Sequence, residues 1–155
     1  MLFVDSDFID DDSSFDTALR RGDRGKIFLR AYATSGALMG TPHPILWHGS
    51  GYAATAMNAS LQAALGIPEK TVASGCVGWF TIRGYVPDAQ GAATSFLGSY
   101  GHAVYWGGAT GIGCSASAWN GVASQIGILM EDLGAAAGST TANIWLTGNT
   151  RGLSI

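Results

Sequence analysis

The sequence predicts an all-β protein: a compact barrel- or sandwich-like body that reads as two related β-units, with an extended N-terminal arm and at most one or two short helices. Three observations carry that expectation. Apolar residues come in short runs, some alternating with a period of two, each bounded by Gly, Pro, Ser or Asn. Glycine supplies 23 of the 155 residues, about twice its usual share of roughly 7%, which provides corners between strands. The formal charges are segregated, with twelve of the nineteen in the first 30 residues.

In chain order, residues 1–25 read as the arm and 26–155 as a single β-rich domain. The arm mixes Phe3, Val4, Phe8 and Ile9 with Asp5, Asp7, Asp10, Asp11 and Asp12, at no period of 2 or 3.6. Ser13 or Ser14 then caps a short helix over residues 15–21, with Asp16 in its first turn and Gly22 ending it. Expected strands follow at 26–34, 44–48, 77–86, 102–106, 125–131 and 141–147. In the first, Ile27, Leu29, Ala31 and Ala33 alternate against Lys26, Phe28, Arg30 and Tyr32. In the third, Trp79, Thr81 and Arg83 face opposite to Phe80 and Ile82. Residues 53–65 are Ala-rich, with Met57, Leu61 and Leu65 four apart; a helix and an irregular Ala-rich loop are both open there.

An internal echo divides the body into 26–86 and 91–148. His43, Ile45, Trp47 and Gly49 match His102, Val104, Trp106 and Gly108 at an offset of 59. Gly66-Ile67 matches Gly127-Ile128 at 61, each followed by an acid, Glu69 or Glu131. The stretch Trp79–Gly84 then matches Asn143–Gly148 at 64. One unit alone is too short to close a core, so the two should pack as one barrel-like body.

The chemistry-bearing residues are few, and the expectation is a protein without enzymatic activity, metal or cofactor. His43 and His48 flank one strand and would need a third ligand from elsewhere to hold a metal. Glu131 and Asp132 are adjacent, so on a strand they point to opposite faces. His48-Gly49-Ser50-Gly51 lacks the first glycine of a hydrolase elbow. The run Gly107–Gly113 has no following lysine, as a phosphate loop requires, and reads as a β-connection. Cys76 and Cys114 read as small buried thiols, with a disulfide between them left open by the spacing.

Composition narrows the partners. A pI near 5.4 argues against a nucleic-acid binder built on a basic stripe. No run of eighteen apolar residues offers a membrane span, and the acidic N-terminus does not read as a secretion signal. From residue 31 onward only seven formal charges remain, and 31–68 and 89–130 have none. A free surface normally carries about a quarter charged residues, so much of this body is expected to be covered in use by further copies of itself or by a larger partner. The arm is expected to dock on a neighbouring chain, with Phe3, Phe8 and Phe15 as apolar anchors and Asp10 and Asp11 among the acids facing basic residues there.

Two passages carry a family resemblance: Gly66-Ile67-Pro68-Glu69-Lys70-Thr71-Val72-Ala73-Ser74-Gly75-Cys76-Val77-Gly78-Trp79-Phe80-Thr81-Ile82-Arg83-Gly84, and Gln125–Asp132 with Gly138 and Asn143–Gly148. Their cadence, a Gly-Ile, a small-residue turn, a strand and a closing glycine, resembles capsid decoration (cement) proteins of tailed bacteriophages of the marine and cyanophage type, over roughly residues 26–148. The resemblance implies a compact β-fold on the outer capsid face, assembled in the host cytoplasm. It implies a homotrimer that clamps and stabilises neighbouring major capsid protein subunits. It carries over no catalytic residues. The alternative is a head-fibre, tail or glycan-binding β-module, in which some of the five tryptophans would stack on sugar.

Overall fold

A computed structural model describes residues 19–47, 51–56, 64–91, 96–106, 112–114 and 124–148. They form twelve strands and one single-turn 3-10 helix, Asp23–Gly25. The strands are β1 Leu19–Arg21, β2 Ile27–Ala33, β3 His43–Trp47, β4 Tyr52–Ala54, β5 Ala64–Pro68, β6 Val77–Gln90, β7 Phe96–Gly98, β8 Ala103–Trp106, β9 Ile112–Gly113, β10 Ser124–Leu129, β11 Gly134–Ser139 and β12 Thr141–Leu146. The all-β class expected from the sequence is the class observed.

Five strands close on themselves. β2 runs parallel to β4; β4 pairs antiparallel with β3, β3 with β5, β5 with β6, and β6 with β2 again. Closure leaves no unpaired edge within the ring, which is how a small antiparallel sheet avoids adding strands from other chains.

β6 is 14 residues long and, besides β5, pairs with β2 and then β12 along its length. Val77–Arg83 pairs with β2, and Gly84–Gln90 pairs with β12. From there the pairings of the barrel recur. β8–β9, β8–β10 and β10–β12 are antiparallel, as β3–β4, β3–β5 and β5–β6 are. The parallel bridge Phe96↔Cys114 takes the place of the parallel pair Ala33↔Ala54. The bridge Ala37↔Val72 recurs as Gly98↔Gly134. This second set of pairings begins inside β6, at Gly84, before the start at 91 suggested by the echo.

Each set of pairings has its own apolar core. One is built from Leu29, Ala31, Ala33, Ile45, Ala54, Val72, Phe80 and neighbours. The other holds Val86, Phe96, Val104, Ile112, Ile126, Leu129, Ile144 and Leu146. β5 joins them. Its Leu65 and Ile67 pack into the second core, while Gly66, on its other face, lies against Ile45 and Phe80 of the first. A strand buried on both faces reads as a continuous apolar run rather than an alternation, and all five residues of β5 are buried. The first half of β6 behaves likewise: Trp79 and Thr81 are as buried as Phe80 and Ile82, and only Arg83 is exposed.

One helix expectation is corrected, and a reading left open is decided at its described ends. Where residues 15–21 are described, they are extended: Leu19–Arg21 pairs antiparallel with β2, from Leu19↔Leu29 to Arg21↔Ile27. The Arg20 guanidinium lies over the Trp79 ring at 4.9 Å. Sheet hydrogen bonds and that cation–π contact outweigh a local helical preference of a few tenths of a kcal/mol per residue. The Ala-rich span 53–65 is extended at both described ends, in β4 and β5. Ala53, Ala54 and Ala64 are each 2% exposed, because small side chains fit where barrel strands crowd. Residues 1–18, with Phe3, Phe8, Asp10, Asp11 and Phe15, lie outside the described residues, as do His48 and residues 57–63.

Candidate interaction surface

Two turns repeat one backbone device. In Leu38-Met39-Gly40-Thr41 the Thr41 N–H donates to the Leu38 carbonyl at 3.0 Å; in Ser99-Tyr100-Gly101-His102 the His102 N–H donates to the Ser99 carbonyl at 3.0 Å. Gly40 has φ +74° and Gly101 φ +87°, while Met39 and Tyr100 keep negative φ. A positive φ at the third position alone defines a type II turn, which favours glycine there. The Gly40 N–H donates to the Pro68 carbonyl and the Gly101 N–H to the Leu129 carbonyl, both at 2.8 Å.

The second residue of each turn is also tied down through its backbone. The Met39 N–H donates to Thr71 Oγ1 at 3.2 Å, and the Tyr100 N–H donates to Asp132 Oδ1 at 2.8 Å. Every partner in this second turn stands 61 residues after its counterpart in the first. The first turn is held further by Gln90, whose Nε2 donates to the Met39 carbonyl at 3.2 Å and whose N–H donates to the Gly40 carbonyl at 2.8 Å.

With their backbones fixed, the side chains at the tips point into solvent. Leu38 is 63% exposed, Met39 52% and Tyr100 61%. A third apolar feature, Trp47 at the end of β3, is 54% exposed and meets Tyr52 edge-to-face at 5.1 Å. Scattered exposed apolar residues are ordinary on a protein surface. Placing them at the tip of the same hydrogen-bonded turn in both halves is not scatter. A set of hydrogen bonds ties β6 to β12 and to the segment that holds the second turn. The Asp88 N–H donates to Asn143 Oδ1, Asn143 donates from N and Nδ2 to the two oxygens of Glu131, and Asp132, next in sequence, accepts from Tyr100.

The residues singled out for chemistry are dispersed. His43 is buried; its Nδ1 donates to the Thr55 carbonyl at 3.0 Å, and burial pushes its pKa below the ordinary value. His102 is exposed as the last residue of the second turn, its Nδ1 accepting from the Ser99 N–H at 3.4 Å. Glu131 and Asp132 lie beyond the end of β10, outside the strand expected over 125–131, and serve different partners, Asn143 and the Tyr100 N–H. Cys76 and Cys114 are both free. The Cys114 thiol donates to the Leu97 carbonyl, and burial raises its pKa. Among the described residues no three His, Cys, Asp or Glu side chains cluster as metal ligands.

Sequence reasoning passed over Leu38, Met39 and Tyr100 as site residues. The signal was present but out of step. Matching the histidines and tryptophans fixes the offset at 59, whereas the turns correspond at 61 because the path from turn to tryptophan is two residues shorter in the second half. Comparison with known protein families and with curated proteins finds no match.

Proposed function

We propose that this chain is a structural virion protein that binds the outer surface of a phage capsid and bridges and stabilises major capsid protein subunits, working as a homotrimer. The observation that carries the reading is the pair of rigid turns that hold Leu38, Met39 and Tyr100 in solvent on a body almost without charge. Side chains held there cost solvation in the free protein and gain it back only against another surface. The barrel supplies a stiff mount, so little conformational entropy is lost on docking. The resemblance in residues 66–84 and 125–148 points to the same role, and many weak contacts per trimer suffice on a shell that repeats its binding site.

The test is co-sedimentation of the full chain with purified empty capsids, with analytical ultracentrifugation of the free chain beside it. Saturable binding at a fixed ratio to capsid subunits, with capsids that resist heat better once decorated, is the expected result. Failure to sediment with capsids overturns the reading. Trp47 favours a second reading, a glycan-binding module, since an exposed indole is a stacking platform for sugar. Glycan-array binding that is lost in Trp47→Ala, without capsid binding, would select it.

A further inference from the structure

The geometry points to the turns Leu38–Thr41 and Ser99–His102 as two equivalent docking tips that engage adjacent copies of one shell subunit, Leu38 and Met39 entering an apolar depression on one copy and Tyr100 the matching depression on the next. This rests on the reading of the chain as a capsid-binding protein and adds to it which residues bind and how many subunits one chain spans.

The argument begins with the duplication. Each tip is a type II turn with glycine third, its second amide tied to a side-chain oxygen, Thr71 or Asp132, and its third amide tied to the end of β5 or β10. A chain that presents one device twice fits a partner that presents its receptor twice. Tip one joins β2 to β3 and is tied to the end of β5, and tip two leads into β8 and is tied to the end of β10; these five strands belong to one sheet, so the spacing between the tips is fixed by the fold.

Area decides against a second copy of this chain as the occupant. At 150–250 Å² for a large side chain, the exposed parts of Leu38, Met39 and Tyr100 offer on the order of 350 Å² per chain. Two copies meeting through them would bury roughly 700 Å², short of the roughly 1,200 Å² of a stable specific interface. Two small contacts on adjacent subunits of a lattice need no such area. The first raises the effective concentration of the second, and the pair exceeds either alone by roughly 10²–10⁴.

The experiment compares two variants, Leu38→Ser with Met39→Ser (tip one) and Tyr100→Ser (tip two), and their combination. Each is measured against empty assembled capsids and against unassembled major capsid protein of the same phage. The changes are at exposed positions, so thermal melting should match the parent. On assembled capsids each single-tip variant is expected to bind about 100-fold more weakly, and the combination not detectably. On the unassembled subunit a single-tip variant is expected to lose no more than about twofold, because either remaining tip can still hold one subunit. Equal losses on both targets would overturn the two-subunit geometry, and unchanged binding would overturn the tips altogether while the parent still decorates capsids. A shift in sedimentation of the free chain on mutating the tips would assign them to self-association instead. A parent that binds neither target fails the capsid reading and this inference with it.

Discussion

At the scale of single residues, His43 carries the clearest consequence of burial. Its Nδ1–H is spent on the Thr55 carbonyl, and its Nε2 and Thr55 Oγ1 are buried with no hydrogen-bond partner among the described residues. The ring also meets Phe80 edge-on at 6.3 Å. A proton on Nε2 would put charge beside that apolar ring, so the folded state holds the neutral form and its pKa lies below the ordinary 6.5. The unfolded chain therefore binds the proton first. Stability from this residue is complete above pH 6.5 and is lost as pH falls from there towards the lowered folded value, at a slope of at most about 1.4 kcal/mol per pH unit. Urea denaturation at pH 7.5 and pH 5.5 should show a lower midpoint in acid, and His43→Gln should remove that part of the difference. Gly40 and Gly101 offer a second contrast. Alanine at either carries the left-handed penalty, about 1–2 kcal/mol. A Cβ on Gly40 would also stand 2.6 Å from the Asp88 carbonyl oxygen, whereas Gly101 has open space. Gly40→Ala should therefore destabilise by about 2 kcal/mol more than Gly101→Ala, read from the same denaturation curves.

At the scale of elements, β5, β6 and the chain entering β2 are fastened by one polar cluster. The Lys26 ammonium meets Glu69 Oε1 at 2.6 Å, with side chains only 11% and 16% exposed, and the fully buried Thr81 hydroxyl donates to the same oxygen at 3.0 Å. Removing one partner leaves a desolvated charge unpaired, so Glu69→Ala should cost about 3 kcal/mol. The pair Lys26→Met with Glu69→Leu should recover most of it, because an apolar replacement of both charges avoids the penalty. If the double variant is as unstable as Glu69→Ala, the cluster is more than a charge pair. This cluster also bears on what the sequence made legible. Alternation in β2 is plain in the sequence because its alanines and Leu29 meet a core while Arg30 and Tyr32 are only half-buried. β5 was passed over because both its faces are buried, which erases the period, and its start was absorbed into an Ala-rich span. β1 carries the sequence signature of a helix because its cap, acid and glycine obey local rules; the partner that overrides them, Trp79, is about 60 residues away in sequence. The candidate site is half legible: Gly40 and Gly101 stand just before the matched histidines, but only backbone pairing aligns them.

At the scale of the whole molecule, the question is what the proposed N-terminal arm would add to a body built on a closed five-strand ring. The sequence assigned residues 1–25 to it, yet Leu19–Arg21 pairs with β2 and Asp23–Gly25 turns the chain into that strand. Two truncations separate the proposed role of residues 1–18 from that of β1. Removing 1–18 should leave melting unchanged while capsid binding weakens by at least about 30-fold, the loss of a single anchor of about 2 kcal/mol, since Phe3, Phe8 and Phe15 would each be such an anchor. Removing 1–23 should in addition strip β1 from β2 and Arg20 from Trp79, lowering stability by about 2 kcal/mol. Within the arm, Phe8→Ala should reduce capsid binding more than Asp10→Ala or Asp11→Ala, because apolar anchors set the off-rate whereas acids at the rim act mainly on encounter. Raised salt should accordingly slow association several-fold and leave dissociation nearly unchanged. Surface plasmon resonance on immobilised capsids resolves the two rates. A chain lacking 1–18 that binds with the parent's rates would leave attachment to the body alone, and to its two turns.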